Sequence, residues 1–317
     1  MFDLFGKKNL GRWLVGDAVL FGNGIGNFVL ATPLVQNLSS PTIFIPGSDG
    51  RREAIASIST WPVEAWNPGD GFAGHSRIFH LWACPIPAPP GATVQPRPQW
   101  RSGVHEADTY LALIPGARRF NPTVKREGPW TLRRGRNERL IALIDGGAES
   151  VAWSALKRWP ADRWITLAKQ LISDGNTQLV HLGDKREVDF GRELVKAVGY
   201  RCWPFAGELT LAQSANILAQ CDMMICNDTG LMHIGAAVGV PMVVLWGMSL
   251  WSKNHPLSQA AVVKVEGNGC EHISTCFGTP TMRACKRAIC MEAITVEMAL
   301  AAAEELLDLP AARGSRP

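Results

Sequence analysis

Several short stretches of this 317-residue chain carry residue types that can hold an anion or a hydroxyl group. The richest is CNDTGLMHIGAAVGVPMVVLWG, Cys226–Gly247. An apolar run ends at Cys226. Asn227, Asp228 and Thr229 follow, three residue types that cap helices. A helix starting there leaves free N–H groups and the positive end of its dipole at the strand's edge, which is a seat for an anion. Asp228 would either cap that helix or bind a hydroxyl group. His233 lies four residues beyond Thr229 and shares its face. A capped helix with a core histidine explains the same residues without a ligand, and spacing alone does not separate the two readings.

LKRWPADRW, Leu156–Trp164, sets Lys157 and Arg158 before a proline-started helix. Cations at a helix N-terminus oppose its dipole, and a bound phosphate would offset that; a solvated basic turn is the alternative. In HLGDKREVDF, Glu187 follows a strand by a few residues, where an acid often binds a ribose hydroxyl; solvated surface is the alternative. GNGIGNFVLATP, residues 22–33, is a glycine loop opening a helix, with Gly24 and Gly26 permitting close backbone approach. It contains no lysine and no carboxylate. Finally, Cys270, Cys276, Cys285 and Cys290 form a C-x5-C-x8-C-x4-C pattern. That is not a standard zinc spacing, yet four thiolates in one loop, with His272 able to replace one, have the chemistry to hold zinc or iron. A reduced loop or disulfides are the competing readings. Arg283, Lys286 and Arg287 in the same loop suggest an anion-facing surface.

The elements that must position these residues follow from periodicity. Strands are expected at Leu140–Ile144, Leu179–Leu182, Met223–Cys226 and Pro241–Trp246. Helices are expected at Pro160–Ser173, Arg186–Val198, Leu211–Leu218, Leu231–Val238 and Ile294–Leu309. This βαβαβ alternation predicts a parallel sheet covered on both faces. The first half repeats it more loosely: strand Ala18–Phe21, helix Phe28–Leu38, strand Thr42–Ile45, and a strand at Tyr110–Ile114. Residues 61–105, rich in Pro, Trp and Gly, receive no assignment. PWTLRRGRNER, Pro129–Arg139, reads as a linker. The expected organisation is a first domain over 1–138, a second over 139–309 and a disordered tail over 310–317. Both domains are Rossmann-like, with ligands at the carboxyl ends of the strands and in the cleft between them.

Composition sets limits. Hydrophobic residues make up 46% and charged residues 19%, a globular profile. A net charge of +4 fits an acidic substrate and is too small to argue for nucleic acid. The first thirteen residues carry early charges and no apolar core, unlike a secretory signal. Eight cysteines without such a signal point to reduced thiols and a cytoplasmic location. Ile234–Trp251 is long and uncharged, but Gly235, Gly239, Pro241 and Gly247 divide it into helix, turn and strand rather than a membrane span.

The order of a glycine loop, then KRWP, then DTGLMH with AAVGVPMVVLWG resembles glycosyltransferase family 9, the lipopolysaccharide heptosyltransferases, from about residue 18 to the last helix. The resemblance implies an α/β chain of GT-B fold, two Rossmann-like domains facing a cleft. It implies an inverting, metal-independent transferase using a nucleotide-diphosphate sugar, usually ADP-heptose. By the same resemblance, Lys157 sits near the diphosphate, Glu187 meets the nucleotide ribose, and Asp228, Thr229, Gly230 and His233 form the donor-binding DTG-x-x-H. The implied acceptor is a bacterial surface glycan or lipid-linked oligosaccharide, with the enzyme peripheral at the inner face of the inner membrane. Arg118, Arg119, Lys125 and Arg126 are candidates for acceptor phosphates, and solvated surface explains them equally. Some autotransporter-modifying heptosyltransferases are similar and carry cysteine-bound iron.

In that family the loop commonly reads Gly-Asp, with the aspartate proposed as the base. Here Gly26 matches the glycine and Asn27 stands in the aspartate's place, and an amide does not accept a proton at neutral pH. Three accounts stay open. Another carboxylate serves, Asp49 first and Asp145 second; or the transition state needs little base; or the chain binds sugar nucleotides without transferring them. A protein acceptor and a sugar-nucleotide epimerase are further alternatives.

Overall fold

The computed structural model describes residues 16–22, 24–47, 51–67, 75–81, 94–95, 98–129, 131–135, 137–146 and 154–308. Asp49 and the 310–317 tail lie outside them. Two all-parallel sheets form. The first contains β1 (Gly16–Leu20), β2 (Thr42–Pro46), β3 (Val63–Trp66), β4 (His75–His80) and β5 (Val94–Gln95), in the order β3-β2-β1-β4-β5. The second contains β6 (Arg139–Ile144), β7 (Thr177–His181), β8 (Cys202–Pro204), β9 (Met223–Asn227), β10 (Met242–Trp246) and β11 (Val262–Glu266), in the order β11-β10-β9-β6-β7-β8.

The helices of the first half are α1 (Ile25–Val35), α2 (Arg52–Ile58) and α3 (Glu106–Leu111). The second half adds α4 (Ala161–Leu171), α5 (Val188–Val198), α6 (Leu211–Leu218), α7 (Gly230–Val238) and α8 (Trp251–Asn254). It ends with α9 (Pro280–Ala284), α10 (Ile289–Glu292) and α11 (Val296–Asp308). The apolar run after Cys226 divides as expected into α7, a left-handed turn at Gly239 (φ 76°) and the fully buried β10. Among the described residues no helix is long and apolar enough to cross a membrane.

In each sheet the strand order reverses at one place, between β1 and β4 and between β6 and β9. Chains leaving neighbouring strands at such a point turn to opposite faces, and a crevice opens beyond the carboxyl ends. The glycine loop leaves β1, Asp145 follows β6, and Asp228 follows β9. The glycine loop, Asp145 and Asp228 therefore lie at the carboxyl ends of the strands that flank these reversals.

Three expectations need correction. The helix after the glycine loop begins at Ile25, with Phe28 N–H bonding Gly24 O, rather than at Phe28. It runs through Pro33, which cannot donate to Val29 O; the Thr32 hydroxyl fills that acceptor at 2.8 Å. The strand expected at Tyr110–Ile114 is instead helix α3 and its C-terminal turn. His105 caps that helix by accepting from Ala107 N–H, and Glu106 and Asp108 lie in its first turn. The unassigned stretch holds β3, β4 and β5.

The connecting segment changes allegiance as it runs. Lys125 N–H bonds Ile58 O of the first half, and Glu127 N–H bonds Ala212 O of the second. Leu132 N–H then bonds the Gln220 side chain, and Arg134 pairs with Asp222.

Candidate functional site

Helix α7 starts directly after β9 with Thr229 at its cap, and no side chain caps it. Asp228, expected to cap the helix or bind a hydroxyl, makes no capping hydrogen bond among the described residues. Its Oδ2 accepts from Lys157 Nζ at 2.6 Å and from the Ser249 hydroxyl at 2.5 Å. Burial would push the Asp228 carboxyl up, but the Lys157 ammonium and these hydrogen bonds outweigh it and hold the carboxyl below its ordinary range. Lys157 ends a 3₁₀ turn, Ser154–Lys157, just before α4. The result is an open helix N-terminus beside a cation held in place, at the strand-order reversal of the second sheet.

Glu187 is buried at the start of α5. Its Oε1 accepts from Arg158 at 2.8 Å and its Oε2 from Asp184 N–H at 2.9 Å. Burial chiefly pushes this carboxyl above its ordinary range. Asp145 Oδ1 lies 2.7 Å from His181 Nε2, and its backbone carbonyl accepts from Asn227 Nδ2 at 2.7 Å. Two buried polar atoms here, Asn227 Oδ1 and His233 Nδ1, have no hydrogen-bond partner among the described residues.

The tip of α1 meets the tip of α7. A Cβ on Gly26 would sit 2.6 Å from His233 Cδ2, and one on Gly230 would sit 3.1 Å from Ile25 Cβ. At Gly26 the close approach of the two halves, not a turn, is what favours glycine. Burial pulls the His233 imidazole down to about 4, so the ring is neutral near pH 7.

Four residues of this region escaped the sequence reading: Glu106, Ser249, Lys253 and Asn254. Glu106, fully buried at the first turn of α3, accepts from Asn27 Nδ2 at 2.6 Å, Tyr110 Oη at 2.5 Å and Asn254 Nδ2 at 2.9 Å. Lys253 Nζ lies 3.9 Å from Glu106 Oε2. Its ammonium is pulled below its ordinary range, chiefly by burial and against the opposing pull of Glu106. The Lys157 and Lys253 ammoniums lie 5.6 and 6.0 Å from the centre of the Phe277 ring. His105 Nε2 is 3.0 Å from His255 O, so α3 and the end of α8 also meet. The signal for Lys253 was its place: like Asp228, it follows the carboxyl end of a buried strand.

The cysteines share a location without forming a metal centre. Cys270, Cys276, Cys285 and Cys290, with His272, Leu156 and Met248, line a cavity of about 40 Å³. All four are free thiols. Burial is the main cause pushing the Cys276 thiol up and the Cys290 thiol up to about 11. Among the described residues no group of three or more His, Cys, Asp or Glu side chains is placed to hold a metal. The zinc or iron expectation therefore finds no support. Of the basic residues, Arg119 pairs with Asp108 at 3.2 Å, Lys125 pairs with Glu127 and Arg287 pairs with Glu292.

The family model for glycosyltransferase family 9 (heptosyltransferase) matches residues 108–279, more than half the chain. Lipopolysaccharide heptosyltransferase 2 of Salmonella typhimurium is 39% identical over 131 residues, covering 40% of this chain and 36% of that relative. The match thus spans little more than a third of the curated relative's length. A glycosyl transferase family 9 structure from Veillonella parvula superposes with a TM-score of 0.70 at 19% identity, covering 92% of this chain and 96% of that one. The structure of E. coli ADP-heptose lps heptosyltransferase II gives a TM-score of 0.60 at 18% identity, covering 91% and 99%. At these identities the likeness is one of fold, the GT-B arrangement of two parallel-sheet halves.

Proposed function

The chain belongs to glycosyltransferase family 9, and from that premise we propose that it transfers a heptose, or a similar sugar, from ADP-heptose to a lipopolysaccharide core acceptor, with inversion and without a metal. The observation that carries this reading is the uncapped N-terminus of α7 beside the Lys157–Asp228 pair. As the bond from the anomeric carbon to the donor phosphate breaks, the electron pair leaves with the nucleotide diphosphate. Free N–H groups at the helix tip and the Lys157 ammonium are suited to that growing charge, the role a divalent ion otherwise fills. Lys253, across Phe277, supplies a second cation. Preorganised donors of this kind are each worth about 10²–10³ in rate.

Glu187 is the proposed ribose contact. It is buried, fixed by Arg158 and the Asp184 N–H, and lies beyond the carboxyl end of β7. The 1–138 and 139–309 division assigns the acceptor to the first domain and the donor to the second. A lipid-anchored acceptor would bring the protein to the inner face of the inner membrane as a peripheral visitor.

The test is direct. Purified protein is incubated with ADP-heptose and lipopolysaccharide truncated in its inner core, and ADP release and acceptor mass are followed. The reading expects stoichiometric ADP and one added heptose mass, both dependent on acceptor. Failure of calorimetry to detect ADP or ADP-heptose binding would sink it.

A further inference from the structure

The carboxylate of Glu106 lies at the seam between the two halves, and its donors come from both. Oε1 accepts from Asn27 and Tyr110 of the first half. Oε2 accepts from Asn254 of the second half and faces Lys253. A buried carboxylate is costly unless donors surround it, so this set is complete only while the halves meet.

The consequence falls on Asn27. Its amide has one donating end and one accepting end. Glu106 holds one of the two Nδ2 hydrogens, which fixes the plane of the amide, and Oδ1 is the end that can accept from a ligand hydroxyl. Oδ1 lies toward Gly24, within 3.4 Å of where a Cβ on that residue would stand. A sugar hydroxyl that attacks an anomeric carbon needs its hydrogen held while its lone pair points at the carbon.

We propose that Glu106 is a positioning residue for the acceptor: it fixes the Asn27 amide with Oδ1 presented to the acceptor hydroxyl, and it does so when the second half closes on it through Asn254 and Lys253. This rests on the transferase reading above. In the step it serves, the acceptor oxygen bonds to the anomeric carbon and ADP departs with the electron pair of the broken bond. The hydroxyl proton, first shared with Asn27 Oδ1, passes to water. Asn27 is not protonated.

The test compares wild type, Glu106→Leu and Glu106→Gln. Leucine removes both acceptor oxygens, so Asn27 loses its partner and its orientation. Glutamine removes the charge but keeps one carbonyl oxygen, which can still accept from Asn27 and Tyr110. Glu106→Leu is expected to bind ADP within about 2-fold of wild type but to lose about 10-fold or more in kcat/KM for truncated lipopolysaccharide. Glu106→Gln is expected to retain most of it. An unimpaired Glu106→Leu, or a Glu106→Gln as impaired as Glu106→Leu, overturns the proposal. A second readout needs no turnover: the Asn27 side-chain amide, assigned by its loss in Asn27→Ala, should exchange slowly with solvent in wild type and quickly in Glu106→Leu. Fast exchange in wild type overturns the lock itself. Failure of the wild-type protein to bind ADP overturns the transferase reading instead.

Discussion

Lys157 Nζ and Asp228 Oδ2 lie 2.6 Å apart, so the cation nearest the α7 tip is neutralised before any ligand arrives. A diphosphate entering there shares the ammonium with Asp228 rather than meeting a bare charge. Both side chains are largely buried, 16% and 11% exposed. Asp228→Ala leaves an uncompensated ammonium and should cost about 3 kcal/mol of stability, read by chemical denaturation. Lys157→Ala should weaken ADP binding about 10-fold and lower kcat by roughly 10². Equal effects of the two variants on stability alone would argue that the pair is purely structural.

Gly26→Ala would place a methyl group 2.6 Å from the His233 ring. Neither α1 nor α7 can yield without separating the halves. The single variant should lose transfer while keeping its helix content. Adding His233→Ala should make room for the new methyl group, giving a coupling of about 1 kcal/mol or more in a double-mutant cycle of stability. Additive effects would refute the contact.

Protonation offers a third check. His233 and His105 are both pulled by burial from an ordinary 6.5 to about 4. The unfolded chain therefore binds these protons more readily than the folded one. Stability contributed by the neutral rings is fully present above pH 6.5 and is lost as pH falls from there to about 4. The loss is on the order of 1–3 kcal/mol per ring. Denaturation midpoints in urea should fall over that window, and His233→Gln should flatten part of the slope.

Metal independence is tested by removal. Dialysis against a chelator, followed by elemental analysis, should leave the transfer rate within about 2-fold of the untreated protein. A rate restored only by added Mg²⁺ would transfer the charge-stabilising role from Lys157 and α7 to an ion.

The second half was the more legible in sequence because a parallel sheet covered on both faces writes its strands as continuous apolar runs. Leu140–Ile144 and Met223–Cys226 are such runs, and glycine and proline bound the run that becomes β10. In the first half the same cue misled. Tyr-Leu-Ala-Leu-Ile at 110–114 reads as a strand, yet the capping of His105 commits the backbone to a helix. At the site, Lys157, Glu187 and Asp228 were visible because each lies near a strand or helix end. Glu106 was not. Its partner Asn254 is 148 residues away, and no local pattern carries a hydrogen bond over that separation.

The crossing of the connecting segment has a practical consequence for recombination between relatives. Backbone bonding passes from the first half to the second between Lys125 and Glu127, well before the first strand of the second sheet at Arg139. A hybrid joined just before that strand would import a foreign strap under α6 and sever its ties to Ala212, Gln220 and Asp222. Splicing at residue 126 keeps the Lys125–Ile58 bond within one parent and the Glu127–Ala212 bond within the other, so the strap travels with the half that holds it.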